Sequence, residues 1–518
     1  MVFRPWTALS AILQFAALSH ANAATLVEDF SNPYQCDFSA TTGLWNSYAR
    51  QAQAAVFGGN AANTPGAPAD PTRTVSFGDG SDGAVNTASG YTFDTTKPGG
   101  YQFTSLTISG GTINITGNQP LKIRVLGAVS IAAGIDVSGG AGGTGTATAA
   151  AGAGGIPKAG GGFGGAGGTI NTAGSPSLDL SSTTDTAGGA PGGPAAAGAP
   201  SGNVIFLGDF DAVPGSFAGG GSGGGGGTTT TSGGGGGAGG GYFKISALGP
   251  INLTGAISAR GGNGGGNNVS APCSGVGAAG NGGLIWLQSL VSITTTVDPD
   301  TDNGTDPTST CGGGAAPAPA QDGDKRADLP GGVAPPNWLV PNAGFSHDLA
   351  NTVPGAYVVK SKAYDLRTLN ASFTAAPTVT QNLAGGTISI QYEGSKDGTT
   401  YTAPTTDILT LSNLNIRYLK ITMNITAASG TTPTISKIEI PYTELGVPEL
   451  EFGLGFGCGS LAWVGGPGGP SGLGRSNQNK ASQNAFYEFL VLITLMAVTY
   501  RVHRHSIRAE HISARPIP

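Results

Sequence analysis

The stretch DPDTDNGTDPTS (Asp298–Ser309) spaces its carboxylates like a calcium-binding loop. The carboxylates at loop positions 1, 3, 5 and 9 are Asp298, Asp300, Asp302 and Asp306. Because Ca²⁺ prefers clustered oxygen ligands, this spacing predicts a calcium site, the one cofactor that the sequence suggests. Two positions depart from the pattern: Asn303 replaces the turn glycine, and Ser309 replaces the bidentate acid. A solvated acidic linker is therefore the alternative interpretation.

Side chains suited to acid–base catalysis are scarce. His347 is the one histidine between the two apolar ends of the chain, and its neighbour Asp348 would lie on the opposite face of a strand. Asp79 and Asp82, in FGDGSDG, are typical turn formers. We therefore predict a non-catalytic protein. A polysaccharide-active enzyme is the alternative, and an Arg–carboxylate cluster on one sheet face would favour it.

Composition and charge indicate an exported β-rich protein. The chain has 92 Gly and 33 Pro among 518 residues, and only 10% of its residues are charged. Average proteins carry about 25% charged residues. The net charge is −6, and basic residues concentrate only at the extreme C-terminus, which argues against nucleic-acid binding.

Both ends of the chain carry targeting patterns. Residues 1–23 have the charged start, apolar stretch and small-residue cleavage site of a signal peptide. Residues 485–502 form an apolar segment long enough for a transmembrane helix, and the basic tail 503–518 follows it. Basic segments that flank a membrane helix stay on the cytoplasmic side. The chain that precedes the apolar segment is therefore predicted to lie outside, anchored in the cell envelope.

The four cysteines suggest covalent features of an exported chain. A disulfide between Cys273 and Cys311 would close the loop between them, although four cysteines permit three pairings. The linker 445–484 contains LEFGLGFGCGS, followed by a Gly/Pro/Ser spacer and the apolar segment. This order resembles the tripartite C-terminal sorting signals of Gram-negative surface proteins, and that resemblance implies processing or lipidation at Cys458. A plain membrane helix with Cys458 unmodified is the alternative.

A repeated segment predicts the architecture between these ends. LKIRVLGAVSIAAGIDVSGG (Leu121–Gly140) aligns without a gap with FKISALGPINLTGAISARGG (Phe243–Gly262), and LIWLQSLVSITTTV (Leu284–Val297) resembles both. Short alternating segments that end at glycine are typical of stacked repeats, because one repeat cannot cover its own apolar face. We predict a Gly-rich parallel β-solenoid over residues 74–297. A β element (24–58) and a linker (59–73) precede it, and an acidic Pro/Gly linker (298–336) follows.

The glycine-rich blocks between the repeats allow two interpretations. Such runs are ordinarily flexible coils. Alternatively, they pack as polyproline-II-like strands that lie close together because no side chain separates them. The segment from VSFGDGSDGAV to GIDVSGGAGG resembles the glycine-rich β-helical parts of bacterial surface proteins and phage receptor-binding proteins. This resemblance implies surface display and recognition.

Residues 337–444 return to an ordinary composition and contain four alternating strand candidates, which suit a β-sandwich. SKDGTTY followed by RYLKI resembles discoidin-like (coagulation factor type C) jelly rolls, whose relatives bind glycans or lipid head groups through loops at one end. Lys396, Asp397 and Tyr401 are the ligand-binding candidates on this resemblance. The sequence thus predicts an all-β chain: a Gly-rich solenoid, then a jelly-roll sandwich, then one C-terminal transmembrane helix.

The predicted function is non-catalytic recognition of a glycan or another cell-surface ligand, with the C-terminal helix contacting the membrane. Broad, weak and multivalent contact suits flat sheet faces and glycine-rich loops. A structural stalk or coat component is a second alternative to the enzyme.

Overall fold

The computed structural model describes residues 22–55, 57–59, 69–146, 150–177, 231–266, 274–308, 317, 319–332, 335–338, 345–348, 354–368, 370–428 and 431–444. All of these lie in the first of two units, residues 1–450. The described part is all-β, as predicted, with two short 3₁₀ helices at Pro33–Gln35 and Ile408–Leu411. None of its helices has the length and apolar character to cross a membrane. Cys273, Cys311, Cys458 and the segment 485–502 lie outside the described residues.

Parallel strands of the middle region form stacked repeats. Their ranges, with those of the N-terminal strands, are β1 (Asn22–Glu28), β2 (Leu44–Asn46), β3 (Gln51–Gln53), β4 (Phe57–Gly59), β5 (Ala69–Thr74), β6 (Ala84–Thr87), β7 (Gly90–Asp94), β8 (Tyr101–Phe103), β9 (Ser105–Ile108), β10 (Thr112–Thr116), β11 (Leu121–Val125), β12 (Val129–Ile131), β13 (Ile135–Asp136), β14 (Tyr242–Ala247), β15 (Ile251–Leu253), β16 (Ile257–Ser258), β17 (Leu284–Ser289), β18 (Ile293–Thr295), β19 (Asp324–Leu329) and β20 (Phe345–Asp348). We call the region from Val75 to Asp348, which contains β6–β20, the parallel stack.

The parallel stack contains four parallel sheets. The first has the order β20-β19-β17-β14-β11-β8, the second β18-β15-β12-β9-β6, the third pairs β13 with β16, and the fourth pairs β7 with β10. Leu121 lies opposite Phe243 and Val125 opposite Ala247, so the register is that of the ungapped sequence alignment. Inward side chains such as Ile123, Ile245 and Ile285 form one continuous buried core.

The glycine segments that leave the third sheet also pack in order. The N–H groups of Gly139, Gly142 and Gly145 donate to the carbonyl oxygens of Arg260, Asn263 and Gly266, which is a period of three residues. Three residues per turn with hydrogen bonds only between segments is the polyproline-II pattern. A Cβ on Gly142 would lie 2.0 Å from the carbonyl oxygen of Gly235, so no side chain fits there. The flexible-coil interpretation is wrong for these described segments.

A second, antiparallel region combines both ends of the described chain. Its C-terminal strands are β21 (Gly355–Lys360), β22 (Tyr364–Asp365), β23 (Ala371–Phe373), β24 (Thr378–Asn382), β25 (Thr387–Ser395), β26 (Tyr418–Ala427) and β27 (Thr434–Glu444). One sheet has the order β1-β27-β3-β2, with β23 and β24 also on β27; the other joins β21, β22 and β25 to β26. We call these two sheets and their shared buried core the antiparallel domain.

Three element assignments differ from the predicted boundaries. β1, β2 and β3 belong to the antiparallel domain instead of forming an element of their own. β4 and β5 pair across the predicted linker 59–73. β19 and β20 extend the first parallel sheet through residues predicted as a linker and as the start of the sandwich. The stack therefore reaches as far as Asp348, and the antiparallel domain resumes at Gly355.

Residues 33–47 join the two regions. Phe38 and Leu44 pack against the buried side chains of Phe77, Leu126 and Leu248 of the stack. The Ser47 hydroxyl donates to the Leu126 carbonyl oxygen at 3.1 Å. The connection is thus mainly apolar.

Candidate ligand-binding site

The end of β25 and the loop after it form a shallow pocket of about 390 Å³. Its lining comprises Gly394, Ser395, Lys396, Asp397, Thr400, Tyr401, Thr402, Asn413, Leu414 and Ile416. All three ligand-binding residues predicted from the sequence therefore lie around one cavity. We call it the hairpin pocket.

Local hydrogen bonds fix the floor of the hairpin pocket. The Asp397 carboxylate accepts bonds at Oδ1 from the Ser395 hydroxyl and from the backbone N–H groups of Thr399 and Thr400, each at 2.9 Å. These backbone bonds lower the pKa of Asp397, so the exposed carboxylate stays ionised. Gly398 has a φ of +75°, in the region that favours glycine, which explains the Ser-Lys-Asp-Gly sequence. Asp397 thus shapes the turn through Oδ1, while Oδ2 takes no part in these bonds.

Tyr401 provides the polar atom that lacks a protein partner. Its ring lies 3.9 Å from the Lys420 ammonium group, measured to the ring centroid, which is a cation–π contact. Its buried hydroxyl has no hydrogen-bond partner. Burial, followed by the charge of Asp397, raises the pKa of this hydroxyl, so it remains a donor at neutral pH. A buried hydroxyl without a protein partner is uncommon, although Trp45 Nε1 and Asn370 Oδ1 of the same domain also lack one.

The four predicted calcium ligands contact different partners. Asp298 forms an ion pair with the buried Lys325, and Asp300 pairs with Arg260 at 3.6 Å. Asp306 accepts the backbone N–H of Ala279 at 2.7 Å. Burial, only partly offset by that bond, raises the pKa of Asp306. The backbone N–H of Asp302 donates a hydrogen bond to the Asp300 carboxylate.

Among the described residues, no group of three or more His, Cys, Asp or Glu side chains could hold a metal ion. Asp298, Asp300 and Asp306 contact protein groups in this structure, and the calcium site stays a prediction. His347 lies in β20, in register with Asp328 of β19.

An Arg–carboxylate cluster does lie on one face of the parallel stack, and sequence analysis missed it. The Arg326 guanidinium contacts the Asp328 carboxylate at 2.7 Å, and the indole N–H of Trp286 and the amide of Gln288 also donate to Asp328. Lys244, Trp286 and Arg326 are in register on β14, β17 and β19, so the indole lies between two cations. Arg326 is 1% exposed and Asp328 0%. This burial denies a substrate access to the cluster.

A buried carboxyl group in the antiparallel domain was also missed. Glu28 of β1 accepts hydrogen bonds from the Tyr364 hydroxyl and from the N–H of Phe30. Burial raises the pKa of Glu28 to about 7, although these bonds favour the ionised form. Nearby Cys36 is a free, buried thiol whose pKa burial raises to about 12, so it is unreactive. The sequence carried no local signal for this contact because its partners are over three hundred residues apart.

Comparison of the chain with protein-family models, with curated proteins and with solved structures finds no match.

Proposed function

We propose that the chain is an exported surface protein that recognises glycans through the hairpin pocket without catalysing a reaction. The observation that carries this proposal is the buried Tyr401 hydroxyl without a partner, in a pocket that also holds the exposed Lys396 and Asn413. Sugar hydroxyl groups both donate and accept hydrogen bonds, so one of them would satisfy Tyr401 if the pocket side chains that cover its hydroxyl move aside. Oδ2 of Asp397, the Lys396 ammonium group and the Asn413 amide would bind others.

The proposed architecture assigns a role to each region. The parallel stack would be a Gly-rich β-solenoid, stiffened by the glycine segments. The antiparallel domain would be a discoidin-like jelly roll. Ala24 pairs with Tyr442, so the first residue after the predicted signal peptide lies beside the end of the strand that precedes the predicted anchor linker. This pairing supports a jelly roll near the membrane, with the solenoid displayed beyond it.

A glycan array probed with the purified full-length protein tests the proposal. We expect Tyr401→Phe to reduce binding about tenfold and Lys396→Ala to reduce it severalfold. Since Tyr401→Phe removes an unpaired buried hydroxyl, it should leave stability unchanged or slightly higher. Lys437→Ala, which removes an exposed lysine from the other sheet, is the matched control. Wild-type binding in the Tyr401→Phe variant would exclude the hairpin pocket as the glycan site.

The two alternatives make different predictions. A polysaccharide-active enzyme would release reducing sugar from its substrate, and the Arg326–Asp328 cluster is its one structural support. Since that pair is buried and fully used by neighbouring groups, recognition is favoured over catalysis. A structural stalk would bind no glycan on the array while keeping the stiff glycine segments.

A further inference from the structure

A cavity of about 490 Å³ lies where the antiparallel domain meets the parallel stack. Two segments, 38–45 and 75–79, supply most of its lining, and Ala55, Gln102 and Leu126 complete it. The volume is within the range of about 300–1,000 Å³ that is usual for ligand pockets, which often lie between two folded regions. We call it the junction cavity, and the proposed function makes no use of it.

Apolar and aromatic side chains form one part of the lining. Phe77 and Leu126 belong to a buried apolar cluster, and Phe38 packs against it. Trp45 is 1% exposed and contacts Phe30 edge to face, with the ring centroids 5.0 Å apart. Core packing on both sides of the junction therefore sets the positions of the rings that bound the cavity.

The indole of Trp45 carries a buried donor without a partner. Its Nε1–H makes no hydrogen bond in the structure. Such a group destabilises the fold unless something binds it. The Tyr401 hydroxyl is in the same situation at the hairpin pocket, so each of the two cavities has one buried group of this kind in its lining. An acceptor on a ligand in the junction cavity would satisfy Trp45 after a small shift of the side chains that cover Nε1.

Two polar side chains of the stack keep hydrogen-bonding capacity for the same ligand. The side-chain oxygen of Gln102 accepts the N–H of Asp79 at 3.1 Å, so the Gln102 amide still has its N–H groups to donate. Oδ1 of Asp79 accepts the N–H of Ser81 at 2.9 Å, and Oδ2 takes no part in that bond. The stack thus offers both donors and an acceptor to the cavity.

Two hydroxyl groups add to this set. Thr42 and Ser76 are exposed residues that line the cavity from its two sides. The Thr42 oxygen accepts the N–H of Val358 at 2.9 Å, and the Ser76 oxygen accepts the N–H of Gly78 at 3.4 Å. Each hydroxyl acts as an acceptor in its bond, so each still has a proton to donate.

This combination selects a class of ligand. Among the described residues of the lining, Asp79 is the one that carries a charge, so an anionic ligand would find no cation to bind it. An ammonium ligand would satisfy Asp79 but would leave the donors of Trp45 and Gln102 without an acceptor. Hydroxyl groups both donate and accept, and the C–H face of a sugar ring packs on aromatic side chains. A neutral sugar therefore matches every group of the lining.

We propose that the junction cavity binds a neutral sugar ring, whose hydroxyl groups bind Trp45, Gln102 and Asp79. This site goes beyond the proposed function, because it shares no residue with the hairpin pocket and does not require it. A sugar bound there contacts the antiparallel domain and the parallel stack together.

Saturation-transfer difference NMR of the purified full-length protein with the methyl β-glycosides of glucose, galactose, mannose and N-acetylglucosamine tests this proposal. The parent for all variants is Lys396→Ala/Tyr401→Phe, which impairs the hairpin pocket. We expect at least one glycoside to bind this parent, and Ser76→Trp, which places a large side chain at the cavity, to weaken that binding at least tenfold. Ser81→Trp is the matched control, because Ser81 is exposed in the same loop and does not line the cavity. Trp45→Phe keeps an aromatic ring but removes the N–H, and should weaken binding about fivefold.

Three results would overturn the proposal. The parent would bind none of the four glycosides, or Ser76→Trp and Ser81→Trp would bind alike, or the β-glucuronide, which adds a carboxylate, would bind as well as the neutral glycosides. Thermal unfolding will show whether each variant is folded. If Ser76→Trp is not, Trp45→Phe decides, and its binding as the parent does would contradict the site.

The glycan array separates this proposal from the proposed function. Array binding that Tyr401→Phe leaves unchanged would exclude the hairpin pocket and would leave the junction cavity untouched. Loss of array binding in Tyr401→Phe, with no glycoside bound by the parent, would support the hairpin pocket and exclude the junction cavity.

Discussion

In the parallel stack, each inward side chain packs on its equivalent in the next repeat, as Val129 does with Ile251. In the antiparallel domain, partners come from opposite ends of the chain, as Glu28 and Ile438 do. Repetition gives the stack long, uniform faces and requires glycine wherever segments approach closely. The domain has individual positions instead, including one pocket with an unpaired hydroxyl and one buried carboxyl group.

The glycine segments should show the largest effect of a single added methyl group. A Cβ at Gly262 would lie 2.0 Å from the Gly140 carbonyl oxygen, whereas at Gly266 the nearest atom is a Thr144 side-chain carbon at 3.7 Å. We expect Gly262→Ala to lower the free energy of unfolding by about 5 kcal/mol in urea denaturation. Gly266→Ala, in the same segment, should change it by less than about 0.5 kcal/mol. Equal effects would mean that these segments are not closely packed.

The buried cluster should show the next largest effect. Asp328→Asn leaves the buried Arg326 without its counter-charge, so we expect a loss of about 4 kcal/mol in the same measurement. Asp136→Asn breaks an exposed pair with Lys158 and should cost less than about 1 kcal/mol. If the two substitutions had the same small effect, Asp328 would not be the buried counter-ion of the stack.

Glu28 should make the stability of the antiparallel domain depend on pH. The pKa of Glu28 is raised from 4.5 to about 7, so the folded state binds this proton more tightly than the unfolded state. The resulting stabilisation is complete below pH 4.5 and is lost as the pH rises through about 7. We expect the free energy of unfolding to fall by roughly 3 kcal/mol over that interval. Glu28→Gln should remove this component, and an unchanged pH profile would contradict the assignment.

The turn of the hairpin pocket should show the smallest effect on stability. Gly398→Ala places a side chain at a φ of +75°, so we expect a cost of about 1 kcal/mol. Because the same turn positions Lys396 and Asp397, glycan-array binding should fall more than this stability loss alone explains. Gly83→Ala, also at positive φ and with no atom within 4 Å, controls for backbone strain away from the pocket.

Sequence patterns predicted the repeats, strands and turns that short segments specify. The alignment of Leu121–Gly140 with Phe243–Gly262 corresponds to the observed register. The four strand candidates of the sandwich correspond to β21, β25, β26 and β27. Lys396, Asp397 and Tyr401, named on the discoidin-like resemblance, line one pocket because the Ser-Lys-Asp-Gly turn that places them is local.

Long-range pairing could not be predicted in the same way. Nothing in residues 22–28 indicates that they pair with residues 438–444, because an edge strand carries no signal for a distant partner. DKRADL lies in the predicted acidic Pro/Gly linker 298–336, yet it forms β19, although four of its six residues are charged. Its charges are buried against Trp286 and Asp298, neither of which a local pattern could identify as a partner.

Cross-linking between Ser130 and Asn252 tests the stacked register most directly. Adjacent strands lie about 4.8 Å apart, within the range of Cα distances that a disulfide bridges. In the variant Ser130→Cys/Asn252→Cys, mild oxidation of the folded protein should produce a disulfide between these positions, identified by peptide mass spectrometry. Ser130→Cys/Thr116→Cys, with the second cysteine on another face, should give none. If the first variant stays reduced while the second forms its cross-link, the two repeats are not neighbours and the stacked register is wrong.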